Sequence, residues 1–161
     1  MSKKIQLTQG KYAIVDDDDY ERLSIRKWYA QKGGIDFIAA RQCSCPYYDQ
    51  RFAVLMHRQI TSCPRGLQVD HINHNTLDNR KCNLRICTNS QNHGNMIIQR
   101  DKSSKYKGVT WNSKRKKWIA SIGENGKNYY LGSFEDEIEA AKTYIRAARK
   151  QFGDFALVNT I

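Results

Sequence analysis

The last third of the chain leaves little choice of fold. Three short runs rich in β-branched and aromatic residues, 106–111, 117–122 and 128–131, are separated by polar turns. The first turn contains Asn112-Ser113-Lys114-Arg115, and the second contains Asn125-Gly126, a strong hairpin signal. In the stretch 137–152 that follows, Ile138, Ala141, Ile145, Ala148 and Phe152 recur at three- and four-residue steps. That spacing predicts a helix with one apolar stripe, closed by Gly153. Three strands joined by tight turns have a face to bury, and the stripe is there to cover it. The expected unit is a three-stranded antiparallel sheet packed on one helix, spanning 106–161. Residues 100–105, with Asp101-Lys102-Ser103-Ser104-Lys105, read as a short polar linker before it.

Upstream, residues 67–98 read as strand (67–72), loop, strand (84–87) and helix. Thr88-Asn89-Ser90-Gln91 matches the capping box, in which a Thr and a Gln three residues on satisfy free backbone donors reciprocally. A helix is therefore expected from Asn89, with Asn92 in its first turn. Residues 1–60 read as mixed and strand-rich. Ile5-Gln6-Leu7 and Tyr12-Ala13-Ile14-Val15 suggest a hairpin around Gly10, and the runs at 28–30 and 37–40 suggest strands around Gly33-Gly34. The acidic cluster Asp16 to Asp19 reads as the cap of a short helix rather than a metal site. The apolar run Phe52-Ala53-Val54-Leu55-Met56 is expected to enter the core.

Lys+Arg 27 against Asp+Glu 16 gives +11, the electrostatic footprint of a nucleic-acid binder. Between Lys102 and Phe134 stand eight Lys/Arg and one acid, Glu124, while the acids gather at 135–139, where they favour a helix N-terminus. One sheet face is thus a candidate for nucleic-acid contacts: Lys107, Lys114, Arg115, Lys117 and Lys127 on phosphates, with Trp111, Asn112 and Tyr130 (or Tyr129) against sugars or bases. No apolar run approaches the ~20 residues of a membrane span, so no membrane partner is expected. Met1-Ser2-Lys3-Lys4-Ile5 lacks the apolar stretch of a signal peptide, which points to a reducing cytosol and a protein that is not secreted. The five cysteines are odd in number, and Cys43-Ser44-Cys45, Cys63, Cys82 and Cys87 form no pair of C-x-x-C knuckles. Neither a disulfide framework nor a structural zinc is expected.

The chemistry-bearing run is Val69-Asp70-His71-Ile72, followed by Asn79-Arg80, Asn83-Leu84-Arg85 and Asn92. Hydrolysis of a phosphodiester needs a deprotonated water, charge stabilisation on the phosphate and help for the leaving oxygen. A neutral imidazole near pH 7 is the natural base, which nominates His71. Mg²⁺ commonly takes one or two protein ligands and completes its shell with water and phosphate; the Asp70 carboxylate and the Asn92 amide oxygen meet that sparse requirement. Adjacent strand residues face opposite sides, so Asp70 and His71 can serve one site only if one of them approaches from the strand's end. Arg80 and Arg85 read as phosphate clamps.

This pattern resembles the HNH endonuclease motif, especially its phage and homing branch. The resemblance implies a ββα-metal core with one Mg²⁺ or Mn²⁺ per active site on Asp70 and Asn92, and His71 as general base. It also implies that Asn83 hydrogen-bonds loop backbone to hold the strand carrying His71, and that the products are a 5′ phosphate and a 3′ hydroxyl. The family's third letter is often His; here it is Asn92, with His93 about 100° further round the helix. His57, in Met56-His57-Arg58, sits where this branch often has His-Arg and is expected to pack or touch phosphate. Residues 105–159 resemble the plant Apetala-two/ethylene-response-factor DNA-binding domain through Tyr106-Lys107-Gly108-Val109, Trp118-Ile119-Ala120, Tyr130-Leu131-Gly132-Ser133-Phe134, Ala140-Ala141 and Asn159. That family lays its sheet in the major groove. Several of its sheet arginines are replaced here by Thr110, Asn112, Gly123 and Asn128, so the plant recognition sequence does not transfer.

The expected fold class is α+β: a strand-rich N-terminal part with a ββα-metal nuclease core, then a three-stranded antiparallel sheet packed on one helix. The expected domains are a nuclease domain at 1–99 (strand-rich over 1–60, with the ββα-metal motif at 67–98), the linker 100–105 and a DNA-binding domain at 106–161. The expected function is a metal-dependent DNA endonuclease, phage-encoded or homing. It would act on double-stranded DNA as a monomer or weak dimer in the cytoplasm of a phage-infected or bacterial host cell. The alternative is a non-catalytic DNA-binding regulator that retains a decayed nuclease fold.

Overall fold

The computed structural model describes residues 1–34, 36–45, 50–96, 103–124 and 126–159, and of Cys45 the backbone alone. Residues 100–102 of the expected linker, the boundary at 99, Asn125 of the expected turn and the Cys45 side chain lie outside the described residues. The chain forms two compact units, Met1–Cys87 and Thr88–Ile161. The α+β class holds for the chain as a whole.

The first unit begins with an antiparallel hairpin, β1 (Ser2–Gln6) and β2 (Tyr12–Asp16), in which Ile5 pairs with Ala13 and both point inward. Helix α1 (Asp17–Ser24) follows, with Asp17, Asp18 and Asp19 in its first turn, where carboxylates oppose the helix dipole. Asp16 stands at the cap position but makes no side-chain cap bond; its Oδ2 accepts the backbone N–H of Lys81 at 2.7 Å. The second sheet has the order β3 (Tyr29–Gly33), β4 (Asp36–Cys45), β5 (Gln50–Leu55), all antiparallel. Of the run 52–56, Met56 is fully buried while Phe52 is 49% exposed. The run ends a strand and starts helix α2 (Met56–Thr61), so it crosses from surface to core rather than lying within it. A short antiparallel pair, β6 (Gln68–His71) and β7 (Leu84–Cys87), completes the unit. Leu23, Val15, Met56, Trp28 and Leu84 meet in one core, with Val69 and Leu77 packed against it. The site-bearing hairpin is therefore seated on the same apolar cluster that holds the N-terminal strands.

The second unit begins with α3 (Asn89–Asn95), whose capping box forms as the sequence predicts: Thr88 accepts the N–H of Gln91, and the Gln91 side chain accepts the N–H of Thr88. Strands β8 (Val109–Asn112), β9 (Lys117–Glu124) and β10 (Lys127–Phe134) form an antiparallel sheet in the order β10-β9-β8, with a bulge between Tyr130 and Gly132. Helix α4 (Glu137–Phe152) lies on one face, started by Asp136, whose carboxylate accepts the N–H of Ile138, and ended at Gly153 with φ +55°. Its buried stripe is Ala140, Ala141, Tyr144, Ala148 and Phe152; Ile138 is exposed and Ile145 half-buried. The expected stripe had the right period and a rotated phase. Trp118, Leu131 and Phe134 crowd the sheet side, so the helix presents alanines there to approach closely. Strand β8 starts at Val109 rather than 106, because Gly108 turns the chain at φ +75° directly beneath the Tyr144 ring.

Candidate active site

Strand β6 carries Asp70 and His71 as its last two residues, both buried. Asp70 pairs in register with Arg85 of β7, and the guanidinium of Arg85 grips Asp70 Oδ2 with Nε and a terminal nitrogen, both at 2.7 Å. His71 closes the strand. The His57 ring of α2 stands edge-on to it, 5.3 Å between centroids and 85° between planes. Arg58, beside His57, donates to the carbonyls of Leu67 (2.8 Å), Pro64 (2.9 Å) and Cys63 (3.2 Å), fixing the lead-in to β6. The run Met56-His57-Arg58 thus seats both the ring of His71 and the strand that bears it.

The loop between β6 and β7 is held by polar side chains as well as by Leu77, which packs on the core. Asn83 Oδ1 accepts the N–H of Asn73 at 2.9 Å, and its Nδ2 donates to the carbonyl of Asp78 at 2.8 Å. The backbone adds Ile72 N–H to Asn83 C=O at 3.0 Å. Asp78 is buried and receives Arg80 in a two-pronged ion pair (2.8 and 2.6 Å) together with Asn73 Nδ2 at 2.9 Å. The loop is also sewn to β2: Ile14 N–H donates to Leu77 C=O (2.8 Å), and Asn79 N–H donates to Ile14 C=O (2.7 Å). Asp78, Asn79 and Asn73 are therefore organisers of the site to which the sequence pattern assigned no role. Asp78 alone had a usable signal, an acid two residues before an arginine in a polar loop.

Burial pulls the His71 imidazole below its ordinary value, an effect opposed by a hydrogen bond with the Asn79 side chain and by the charges of Asp70 and Asp78. Burial pushes His57 lower still, to about 4, with the neighbouring His71 and Arg58 adding to it. Both rings are consequently neutral near pH 7, the state in which an imidazole can accept a proton.

Other predicted contact residues are distributed as follows. Asn92 lies on α3 of the second unit and is half-buried. Register sets one sheet face toward α4 through Ala120 and Ile122; the opposite face carries Thr110, Asn112, Lys117, Ser121, Asn128 and Tyr130. Lys114 and Arg115 sit exposed on the β8–β9 turn, Lys127 is exposed at the start of β10, and Tyr130 is 61% exposed. Trp111 is on the helix side, tilted against Trp118 with ring centroids 4.9 Å apart. Lys107 points inward: its ammonium donates to the carbonyls of His93 (3.0 Å), Gly94 (2.6 Å) and Met96 (2.8 Å), and burial lowers it to about 8. It closes the C-terminal end of α3. Arg80 and Arg85 are committed to Asp78 and Asp70. Asn159 exchanges two bonds with the Lys107 backbone, tying the C-terminal segment down.

The family model for HNH endonuclease matches residues 54–93, and that for the AP2 domain matches residues 104–153. The chain is 32% identical over 159 residues to an uncharacterized HNH endonuclease of Acanthamoeba polyphaga mimivirus, covering 95% of this chain and 77% of that protein. The chain belongs to the HNH endonuclease family. Protein 3.8 of Escherichia phage T7 is 31% identical over 93 residues, 58% of this chain and 76% of that protein. An AP2-like ethylene-responsive transcription factor of Arabidopsis thaliana is 42% identical over 62 residues, covering 38% of this chain and 13% of that protein. No solved structure matches. The chain thus joins an HNH endonuclease region to an AP2-like region, and the two expected family resemblances both hold.

Among the described residues no three His, Cys, Asp or Glu side chains come together as a metal cluster. A hard cation that keeps most of its water does not require one. The buried carboxylate of Asp70 is a donor of the kind such a hard cation takes. No helix among the described residues is long and apolar enough to cross a membrane.

Proposed function

We propose that this HNH protein is a metal-dependent DNA endonuclease in which His71 takes the proton from the attacking water. The observation that carries the reading is the neutral, buried His71 at the end of β6, fixed on one side by His57 and on the other by the loop that Asn83 and Asp78 hold. A base must have its lone pair available at working pH and its ring immobile; this environment supplies both. Asn83 acts on the loop, keeping the strand end at a constant geometry. Asp70 and Asn92 are the residues that would hold the divalent cation, Asn92 on the strength of motif spacing. When bound, one such ion supplies charge stabilisation for the phosphoryl oxygens and the leaving 3′ oxygen. Arg85, paired with Asp70, orients that carboxylate.

We assign double-stranded DNA to the outer sheet face through Asn112, Lys117 and Tyr130, flanked by Lys114, Arg115 and Lys127. One active site per chain cuts one strand at a time, leaving a 5′ phosphate and a 3′ hydroxyl. The viral and phage relatives support a phage or viral setting, with action inside the infected cell. The test is plasmid nicking with Mg²⁺ or Mn²⁺. Wild type is expected to nick and to stop on chelation, and His71→Ala is expected to lose at least about 100-fold in rate, the scale of general base catalysis. If wild type binds the plasmid yet leaves it intact with either ion, the protein is the non-catalytic DNA-binding alternative.

A further inference from the structure

The first unit has a groove to which no role has been assigned, between the β1–β2 hairpin and the turn that follows α1. Its volume is 620 Å³, and it is lined by Lys4, Arg26 and Lys27 together with Tyr12, Tyr20 and the buried Trp28. No Asp or Glu among the described residues lines it. That is unusual in this unit, whose α1 opens on three consecutive acids.

The three cations differ from their neighbours in being uncommitted. Lys3 pairs with Asp17, Arg22 and Lys81 with Asp19, Arg80 with Asp78 and Arg85 with Asp70. Arg58 is bound to carbonyls and Arg41 to Gln59. Among the described residues, Lys4, Arg26 and Lys27 enter no ion pair, and their side chains stand in solvent. Their backbones are nevertheless fixed. Trp28 Nε1 donates to Leu23 C=O at 2.8 Å, and Arg26 N–H donates to the same oxygen at 3.2 Å, so the turn carrying Arg26 and Lys27 is tied to the end of α1. Lys4 and Gln6 share the outward face of β1, and Tyr12 lies directly opposite Gln6, which sets the Tyr12 ring, 49% exposed, diagonal to Lys4.

We propose that this groove is a second DNA-backbone site, which takes the phosphodiester chain of one strand of the duplex. The proposal rests on the endonuclease reading above and extends it to the N-terminal region of the chain. Phosphates ask for fixed cations with little competing negative charge, and an apolar wall such as Trp28 strengthens the attraction by excluding water. Tyr12 suits the deoxyribose edges between the phosphates, where a flat amphipathic ring can cover apolar surface and still present a hydroxyl. The site gives grip and no base recognition, since nothing in it offers a base edge a paired donor and acceptor.

The test is the salt dependence of binding to a labelled mixed-sequence duplex, with full-length protein in EDTA so that nothing is cut. Each phosphate contact removed lowers the slope of log K against log salt by about 0.9, so a Lys4→Gln, Arg26→Gln, Lys27→Gln variant is expected to lose about 2.7. A Lys32→Gln, Arg51→Gln, Arg65→Gln variant removes the same charge from exposed positions outside the groove and is expected to keep the slope to within about one. Tyr12→Ala is expected to weaken binding about threefold to tenfold with the slope unchanged, the mark of an uncharged contact. The three single Gln variants, each expected to lose about 0.9, give the same reading should the triple variant fold poorly. A wild-type slope in the groove variants, or equal losses in the two triple variants, overturns the proposal. Nicking by wild type is read separately: a protein that never nicks but loses slope in the groove variants refutes the endonuclease reading and leaves the groove in place.

Discussion

Acidification should reveal the buried His57 as a stability switch in the first unit. Its folded value lies near 4 because burial disfavours the imidazolium, with His71 and Arg58 adding repulsion. In the unfolded chain it titrates near 6.5. Between those values the unfolded chain binds a proton that the folded unit refuses, so stability is complete above about pH 6.5 and falls as the pH drops toward 4. A separation of about 2.5 units is worth about 3.4 kcal/mol in full, of which about 2.5 kcal/mol is lost by pH 4.5. His71 shifts in the same direction and adds to the loss. Asp17, Asp19 and Asp78 are shifted downward from 3.8, so their contributions fade only below that value and leave the upper window to the histidines. The discriminating variant is His57→Phe, which keeps an aromatic edge against His71 and deletes Nδ1, a buried nitrogen without a hydrogen-bond partner among the described residues. At pH 7 the variant should lie within about 1.5 kcal/mol of wild type. At pH 4.5 it should have lost about 2.5 kcal/mol less than wild type has. Amide exchange of peptides from α2 and β6, corrected for the intrinsic pH dependence, reports on this unit alone. Parallel losses in the two proteins from pH 6.5 to 4.5 would refute the reasoning, because His57 would then not be held neutral by its surroundings.

Gly108→Ala should strongly destabilise the second unit: φ is +75°, and a Cβ would stand 1.9 Å from Cδ2 of the buried Tyr144. Backbone strain and overpacking together cost about 3 kcal/mol, so a melting temperature for that unit within about 2 °C of wild type contradicts the packing described. Lys107→Met should remove the donor shared by three carbonyls at the end of α3, two of which keep a backbone N–H, and exchange protection in α3 should fall several-fold, about one lost hydrogen bond, while α4 is little changed. Equal protection in both proteins would mean that the ammonium faces solvent. Arg80→Ala leaves the buried Asp78 carboxylate with Asn73 but without its ion-pair partner and should lower the urea midpoint of the first unit. A urea midpoint equal to that of wild type would show that Asp78 does not depend on this partner.

What could be read in the sequence is what local chemistry decides. The Thr88–Gln91 box starts α3 where predicted, and Gly153 ends α4 where predicted, because caps act within one turn. The phase of α4 was not readable. Ile138 and Ile145 carry more apolar area than Ala140 and Ala141, but the sheet fills the space with Trp118 and Phe134, and only small residues let the helix close on it. The same division runs through the site. Asp70, His71 and Asn83 are picked out by the resemblance to the HNH motif, whereas the tasks of Asn79 and Asp16 depend on partners more than sixty residues away, Ile14 for the first and Lys81 for the second.

Charge shows this most sharply. A surplus of eleven positive charges invites every Lys and Arg to be counted toward DNA. Arg58, Arg80, Arg85 and Lys107 are nonetheless held by carbonyls or buried carboxylates of their own chain. An internal partner takes both the charge and the geometry that a phosphate would need, and breaking it leaves a desolvated group behind, at a cost of several kcal/mol that a solvent-screened phosphate contact does not repay. The cations proposed above for DNA, Lys114, Arg115 and Lys127 on the second unit and Lys4, Arg26 and Lys27 on the first, are exposed and enter no ion pair among the described residues. Net charge therefore sets the sign of the partner, and the pairing of each cation inside the fold sets where that partner is held.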